Sequence, residues 1–357
     1  MQSILDQVAF GILILTGYGI ILGFLHQASL FNIFADAINF IPFVFYFAFR
    51  KLANHETGKK ALYYTFIVII LFVAIRNLIY YREILLEAFM PWQQERARVA
   101  ANEVILLTGS IFFFVKAIMA QAFKKQLFFI LLFLLLFVDL IITQSRGYWL
   151  AFSFALTAVF IISDRSLKKK LLTYLGSIML ILGVVIVFFF SDELALALEG
   201  LAKRFETLGT GELDISLKER WLETVAVWEK IVANPIAGYG MGTTYRRELL
   251  FLNFVEQRYF IHNGYLLVWY KMGILGLIAF ITLSVSILIK SYQIYKYHTA
   301  PEIKAIALTV FSVLIGILFV NNTSPQFYHF DCLLVISLMA VFVTYYSNRI
   351  APSHIKA

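Results

Sequence analysis

The sequence predicts an all-α polytopic membrane protein of about ten transmembrane helices, with one long helical loop on the outer face. Three observations predict it. Of the 357 residues, 61% are hydrophobic and only 15% charged, with a mean hydropathy of +0.81; soluble domains run at roughly 45–50% apolar and about 25% charged. Apolar runs of about 17 to 25 residues, enough to cross a hydrocarbon core of about 30 Å as a helix, recur ten times. The basic residues are distributed unequally between alternate connections. This composition excludes an ordinary soluble enzyme, a disordered chain and a disulfide scaffold. The formal charge of +8 is the loop charge of a membrane protein, so no nucleic-acid partner is expected.

The runs lie near residues 4–25, 30–49, 61–81, 101–123, 126–143, 147–163, 171–190, 263–289, 304–320 and 328–347. No basic residue precedes the first, so it reads as a retained helix and not as a cleaved leader. With the N-terminus inside, the inner connections and C-terminus hold 15 Lys and Arg, and the short outer loops hold 4, namely Arg82, Arg96, Arg98 and Arg146. That asymmetry predicts cytoplasmic N- and C-termini and places the long connection outside. The chain accordingly divides into helices one to seven (1–190), a large outer loop (191–261) and helices eight to ten with the C-terminal tail (262–357). Arg76, Lys116 and Lys271 fall at membrane depth or its edge.

The loop has its own pattern. Leu194, Leu198, Leu201 and Phe205 recur at helical spacing over 192–207, and Gly209 and Gly211 interrupt it. Ser216 with Glu219 reads as a capping box opening a helix to Ala233, which Asn234 and Pro235 end. The glycine-rich turn PIAGYGMGT follows, then a predicted third helix from Thr244 to Tyr259. The single cysteine, Cys332, has no partner for an intramolecular disulfide. There is no tandem repeat, and no paired broken helices suggest the inverted halves of a secondary transporter.

Three places combine ionisable residues with constrained backbone. Arg146, in the tight turn TQSRGYW, is either an interfacial anchor or an anion receptor, since guanidinium offers phosphate a planar fork of fixed charge. Lys203, Arg204, Lys218 and Arg220 precede Gly238, Gly240 and Gly242. This Gly-x-Gly-x-Gly follows no strand and lacks a Gly-Lys-Ser/Thr ending, so it is not a nucleotide loop; the glycines permit sharp turns and close approach to a ligand or to the membrane helices. For Arg220 the alternative is a helix-surface ion pair with Glu219 or Glu223. His262-Asn263 stands where the loop re-enters the membrane, either as an interfacial hydrogen-bonding residue or as a general base.

The segment His262-Asn263, nine residues, Gly273, two residues, Gly276 resembles the signature of the O-antigen ligase and polymerase superfamily, membrane glycosyltransferases of GT-C type. SRGYWLAF (Ser145 to Phe152) and the stretch from Arg220 to Pro235 with its glycines resemble the same family in the same order. Where the family often has tryptophan four residues after the loop arginine, this chain has Thr224; the helix count of ten is also below the ligases' usual twelve or so. The resemblance implies a donor glycan on undecaprenyl pyrophosphate, a lipid A-core or glycan acceptor, an inner-membrane location and a site facing the periplasm. It further implies catalytic roles for His262, Arg220 and Arg146. Substrate contacts are expected at Arg204, Lys203, Asn263, Gly238, Gly240 and Tyr265.

No cofactor or metal is expected, because hard cations need several grouped oxygen ligands and Glu212-Leu213-Asp214 reads as a solvated turn. His329 and Asp331 stand at the outer end of the last helix, where they can line the site. Asp139 and Lys116 lie inside apolar runs, as functional groups or as a mutual pair. A flippase for the lipid-linked glycan is the alternative from another class, but it calls for polar residues along several helices, whereas these concentrate at one face.

Overall fold

The computed structural model describes residues 3–87, 98–99, 101–174, 176–177, 215–248, 255–347 and 349. The stripe at 192–207, Lys203, Arg204 and Glu212–Asp214 lie outside the described residues. The helices are α1 (Ile4–Leu25), α2 (Leu30–Ala37), α3 (Pro42–Leu52), α4 (Glu56–Glu87), α5 (Glu103–Met119), α6 (Phe123–Ile142), α7 (Arg146–Ile162), α8 (Ile215–Ala233), α9 (Gly264–Tyr297), α10 (Pro301–Val320) and α11 (Phe330–Ser347). Of the ten expected spans, seven are helical segments long and apolar enough to cross a membrane, the second formed by α2 and α3 together. Two are the 17-residue α5 and α7, and the tenth, 171–190, falls largely outside the described residues.

Burial sorts the helices by layer. α5 is buried without interruption from Val104 to Ile118, as a helix apolar all round must be, and with α10 it forms the centre of the bundle. α1, α4 and α6 bury only 28%, 22% and 22% of their most apolar window, leaving apolar side chains facing outward as lipid requires. The second span breaks where Pro42 starts α3, after a 3-10 turn at Ile38–Phe40, because proline cannot continue the preceding helix.

The glycine turn inserts into this bundle. At Gly273, where φ is 68° and ψ −174°, α9 kinks and releases backbone groups from its ladder. The turn takes them up: Tyr239 and Gly240 N–H donate to the carbonyls of Tyr270 and Lys271 (2.8 and 3.1 Å), and Ile274 N–H donates to the Pro235 carbonyl at 3.1 Å. Irregular backbone within an apolar bundle is tolerated only when it is satisfied in this way. On its other side Met241 N–H donates to Gly19 of α1 at 2.7 Å. A Cβ on Gly240, whose φ is +89°, would stand 2.3 Å from the Gly23 nitrogen; this position admits only glycine.

Charge closes the same joint. Lys271 Nζ donates to Asp36 Oδ2 at 2.9 Å and to the Thr243 carbonyl at 2.8 Å, and Asp36 Oδ2 also accepts from Gly242 N–H at 2.5 Å. Both side chains are buried, at 0% and 3% exposure.

Three expectations need correction. Thr244–Tyr259 contains no helix among its described residues; Tyr245–Glu248 (β1) pairs antiparallel with Val255–Arg258 (β2), Tyr245 opposite Arg258 and Arg247 opposite Glu256. A short apolar run does not distinguish helix from strand by periodicity, and cross-strand pairing decides it here. Ser216 does not cap α8, because the helix already includes Ile215. Asp139 and Lys116 are not partners: α5 and α6 run antiparallel, which puts the two residues at opposite ends. Lys116 Nζ stands 3.9 Å from Glu302, while Asp139 lies within electrostatic reach of Arg76 and Asn77.

Candidate active site

α8 buries Glu223, Val227 and Ile231, spaced i, i+4, i+8 on one face, and exposes Trp221, Val225 and Trp228 on the other. A carboxylate on the buried face must be satisfied. His262 does so twice. Its backbone N–H donates to Glu223 Oε1 at 2.5 Å, and its ring Nδ1 lies 2.9 Å from Oε2. The carboxylate is only 2% exposed and the imidazole 31%, so the ring is held from behind and open in front. An acceptor-only carboxylate at Nδ1 assigns the proton to that nitrogen and leaves Nε2 as the basic one.

Arg220 lies one turn before Glu223 on α8, partly exposed, with its carbonyl accepting from Thr224 Oγ1 at 2.9 Å. The Arg220-x-x-Glu223 spacing therefore puts the arginine beside the dyad. Phe260 packs edge-on to His262 with ring centroids 5.1 Å apart and meets His329 at 6.3 Å, bringing the second histidine into the same group. Burial holds the His329 imidazole below its usual pKa, partly opposed by Asp331.

The turn before α11 joins the remaining parts. The Gly264 N–H donates to the Asn321 carbonyl at 2.7 Å, the Tyr148 hydroxyl donates to Gln326 Oε1 at 2.5 Å, and Gly147 packs against Thr323 and Val320. Arg146, the exposed first residue of α7, thus stands on the same end of the bundle as His262 and Arg220. Beneath His329, the Arg76 guanidinium donates to Asn77 and Asn102 (2.7 and 2.8 Å), and Asn102 donates to Asp331 at 3.3 Å. This chain ties α4, α5 and α11 together at that end.

Other expected contacts serve the scaffold. Asn263 caps α9, its Oδ1 accepting from Tyr265 and Leu266 N–H at 3.0 and 3.1 Å, and the Tyr265 hydroxyl donates to the Leu318 carbonyl at 2.7 Å. Gly238 and Gly240 are buried in the joint with α1 and α9, the close approach to membrane helices that their spacing allowed. Sequence reasoning weighed Glu223 only as a surface partner of Arg220; the signal for its real place is its spacing with Val227 and Ile231.

Glu223→Gln tests the dyad. The amide offers one acceptor where His262 presents two donors, so either the backbone N–H loses its partner or the ring flips its tautomer and loses the base at Nε2. With donor concentrations varied, kcat is expected to fall about 10²-fold or more while KM stays near wild type. Equal loss in both parameters, or none, would reduce Glu223 to packing.

No curated protein matches the sequence. Residues 131–281 match the family model described as O-Antigen ligase. The matched span is less than half of the chain, but it takes in the Arg146 turn, Arg220 with Glu223, the glycine turn, and His262 through Gly276. That match supports the assignment of this chain to the O-antigen ligase and polymerase superfamily.

Proposed function

We propose that the protein is an O-antigen ligase: a glycosyltransferase that moves glycan from undecaprenyl pyrophosphate onto lipid A-core at the periplasmic face of the bacterial inner membrane. The observation that carries this reading is the His262–Glu223 dyad one turn from Arg220, within the residues that match the family. His262 Nε2 takes the proton of the acceptor hydroxyl as its oxygen attacks the anomeric carbon. The bond from that carbon to the pyrophosphate oxygen breaks, and undecaprenyl pyrophosphate leaves with its negative charge met by Arg220 and Arg146, fixed cations where charge develops. A polymerase that extends the carrier-bound glycan would use the same groups with a glycan acceptor. Loss of a ligase leaves long carrier-linked chains and bare lipid A-core, and loss of a polymerase leaves single units, so glycan analysis of a deletion strain tests the assignment. Bare lipid A-core with the carrier-linked glycan confined to the cytoplasmic leaflet would instead indicate a flippase.

Arg220→Lys keeps the charge but gives up the two-pronged N–H fork that matches phosphate. Transfer from purified carrier-linked donor is expected to drop at least tenfold at equal protein level; wild-type rates would make Arg220 a dispensable surface charge. With arginines supplying the positive charge, EDTA is expected to leave transfer intact. Inhibition by EDTA that magnesium or manganese reverses would overturn the metal-independent mechanism.

A further inference from the structure

An apolar cavity of about 180 Å³ lies between α4, α5, α10 and α11, lined among others by Leu62, Phe66, Phe112, Val310, Met339 and Phe342. At one end its lining reaches Lys59 in the first turn of α4 and Tyr345 in the last turn of α11. His329 precedes α11, an 18-residue helix about 27 Å long, so these residues are at the opposite end of the bundle from the candidate active site.

Two features say what fills it. The interior offers water few partners: the hydroxyls of its threonines, Thr108 and Thr309, donate to Val104 and Ala305 of their own helices at 2.6 and 2.9 Å, and the other polar lining groups are Lys59 and the tyrosines Tyr63, Tyr345 and Tyr346. Water does not settle in such a space, and a void forfeits dispersion contacts along its walls; an alkyl chain restores them. The Lys59 end is cationic. Lys59 Nζ and the Arg349 guanidinium stand 4.8 and 3.9 Å from the centroid of the same Tyr345 ring. Lys60 follows in sequence, and the exposed Glu56, paired with Lys59, offsets only one of these three charges.

We infer that this cavity seats an acyl chain of an anionic glycerophospholipid, its phosphate held against Lys59 and Arg349. The inference does not rest on the glycosyl-transfer reading, and its test reads lipid binding and not transfer.

Native mass spectrometry of the full chain in mild detergent, titrated with phosphatidylglycerol or phosphatidylethanolamine of matched chains, decides it. Wild-type protein is expected to prefer phosphatidylglycerol by about fivefold, the worth of one net charge near a lipid surface. Lys59→Gln with Arg349→Gln should weaken phosphatidylglycerol about tenfold and phosphatidylethanolamine, whose phosphate is already offset by its own ammonium, only about twofold, so that the preference disappears. Leu338→Trp, which fills the cavity from a lining position, should weaken both lipids. Equal wild-type affinities, indifference of phosphatidylglycerol to the double variant, lipid retention by Leu338→Trp, or preferential retention of undecaprenyl phosphate would each overturn the inference. Should Leu338→Trp fail to fold, the double variant decides alone, because its changes lie at the cationic end.

Discussion

Replacing His262 by alanine is expected to lower glycan transfer about 10²- to 10⁴-fold, the usual contribution of a general base, with donor affinity largely retained. A base acts on the transition state more than on the ground state, so the loss belongs in kcat; single-turnover transfer and a separate donor-binding titration check the two halves. The Glu223 carboxylate holds His262 through two hydrogen bonds, one to the ring Nδ1 and one to the backbone N–H, and its burial makes a companion effect necessary. Without the imidazole, Glu223 keeps only the backbone N–H of residue 262, so a modest loss of stability accompanies the catalytic one. A His262→Ala protein with normal turnover would hand the acceptor proton to another group, and His262 would be only a hydrogen-bonding residue at the edge of the bundle.

The second large effect is on folding. Asp36→Ala removes the acceptor shared by Lys271 Nζ and Gly242 N–H and leaves a lysine ammonium at 0% exposure. An uncompensated buried charge costs about 3–5 kcal/mol, so the apparent melting temperature in detergent should fall sharply and the glycine turn should become accessible to proteases. Adding Lys271→Met is expected to restore much of that stability, because an apolar pair can replace a buried ion pair at little net cost. Thermal melts of the single and double variants measure both claims; a single variant that melts like wild type would show that the joint does not depend on the pair.

How much of this was legible depends on the range of the forces concerned. Apolar runs announce helices because lipid demands internal hydrogen bonding over a fixed thickness; α1, α6, α10 and α11 stand within a few residues of the expected spans, while α4 and α9 contain or nearly contain theirs and extend beyond them. Arg146, Arg220 and His262 were visible as charged or titratable groups beside constrained backbone. Glu223 was seen as an acid but not as the orienter of His262, because the hydrogen bond spans 39 residues of sequence. The segment 244–259 was misread because its local pattern suits a helix, while the hairpin depends on pairing across the 249–254 connection.

The sequence by itself determined the all-α polytopic class, the places of most apolar helices among the described residues and the segments that fall within the family match, all consequences of local composition and spacing. Tertiary structure alone decided which side chains meet. It showed that Gly238 and Gly240 serve a joint with α1 and the kinked α9, that Asp36 and Lys271 hold that joint, and that Asp139 and Lys116 stand apart at opposite ends of an antiparallel pair. The physical reason is that a buried charge or an unpaired backbone group must find its partner wherever the packed chain brings one, and sequence spacing carries no record of that distance.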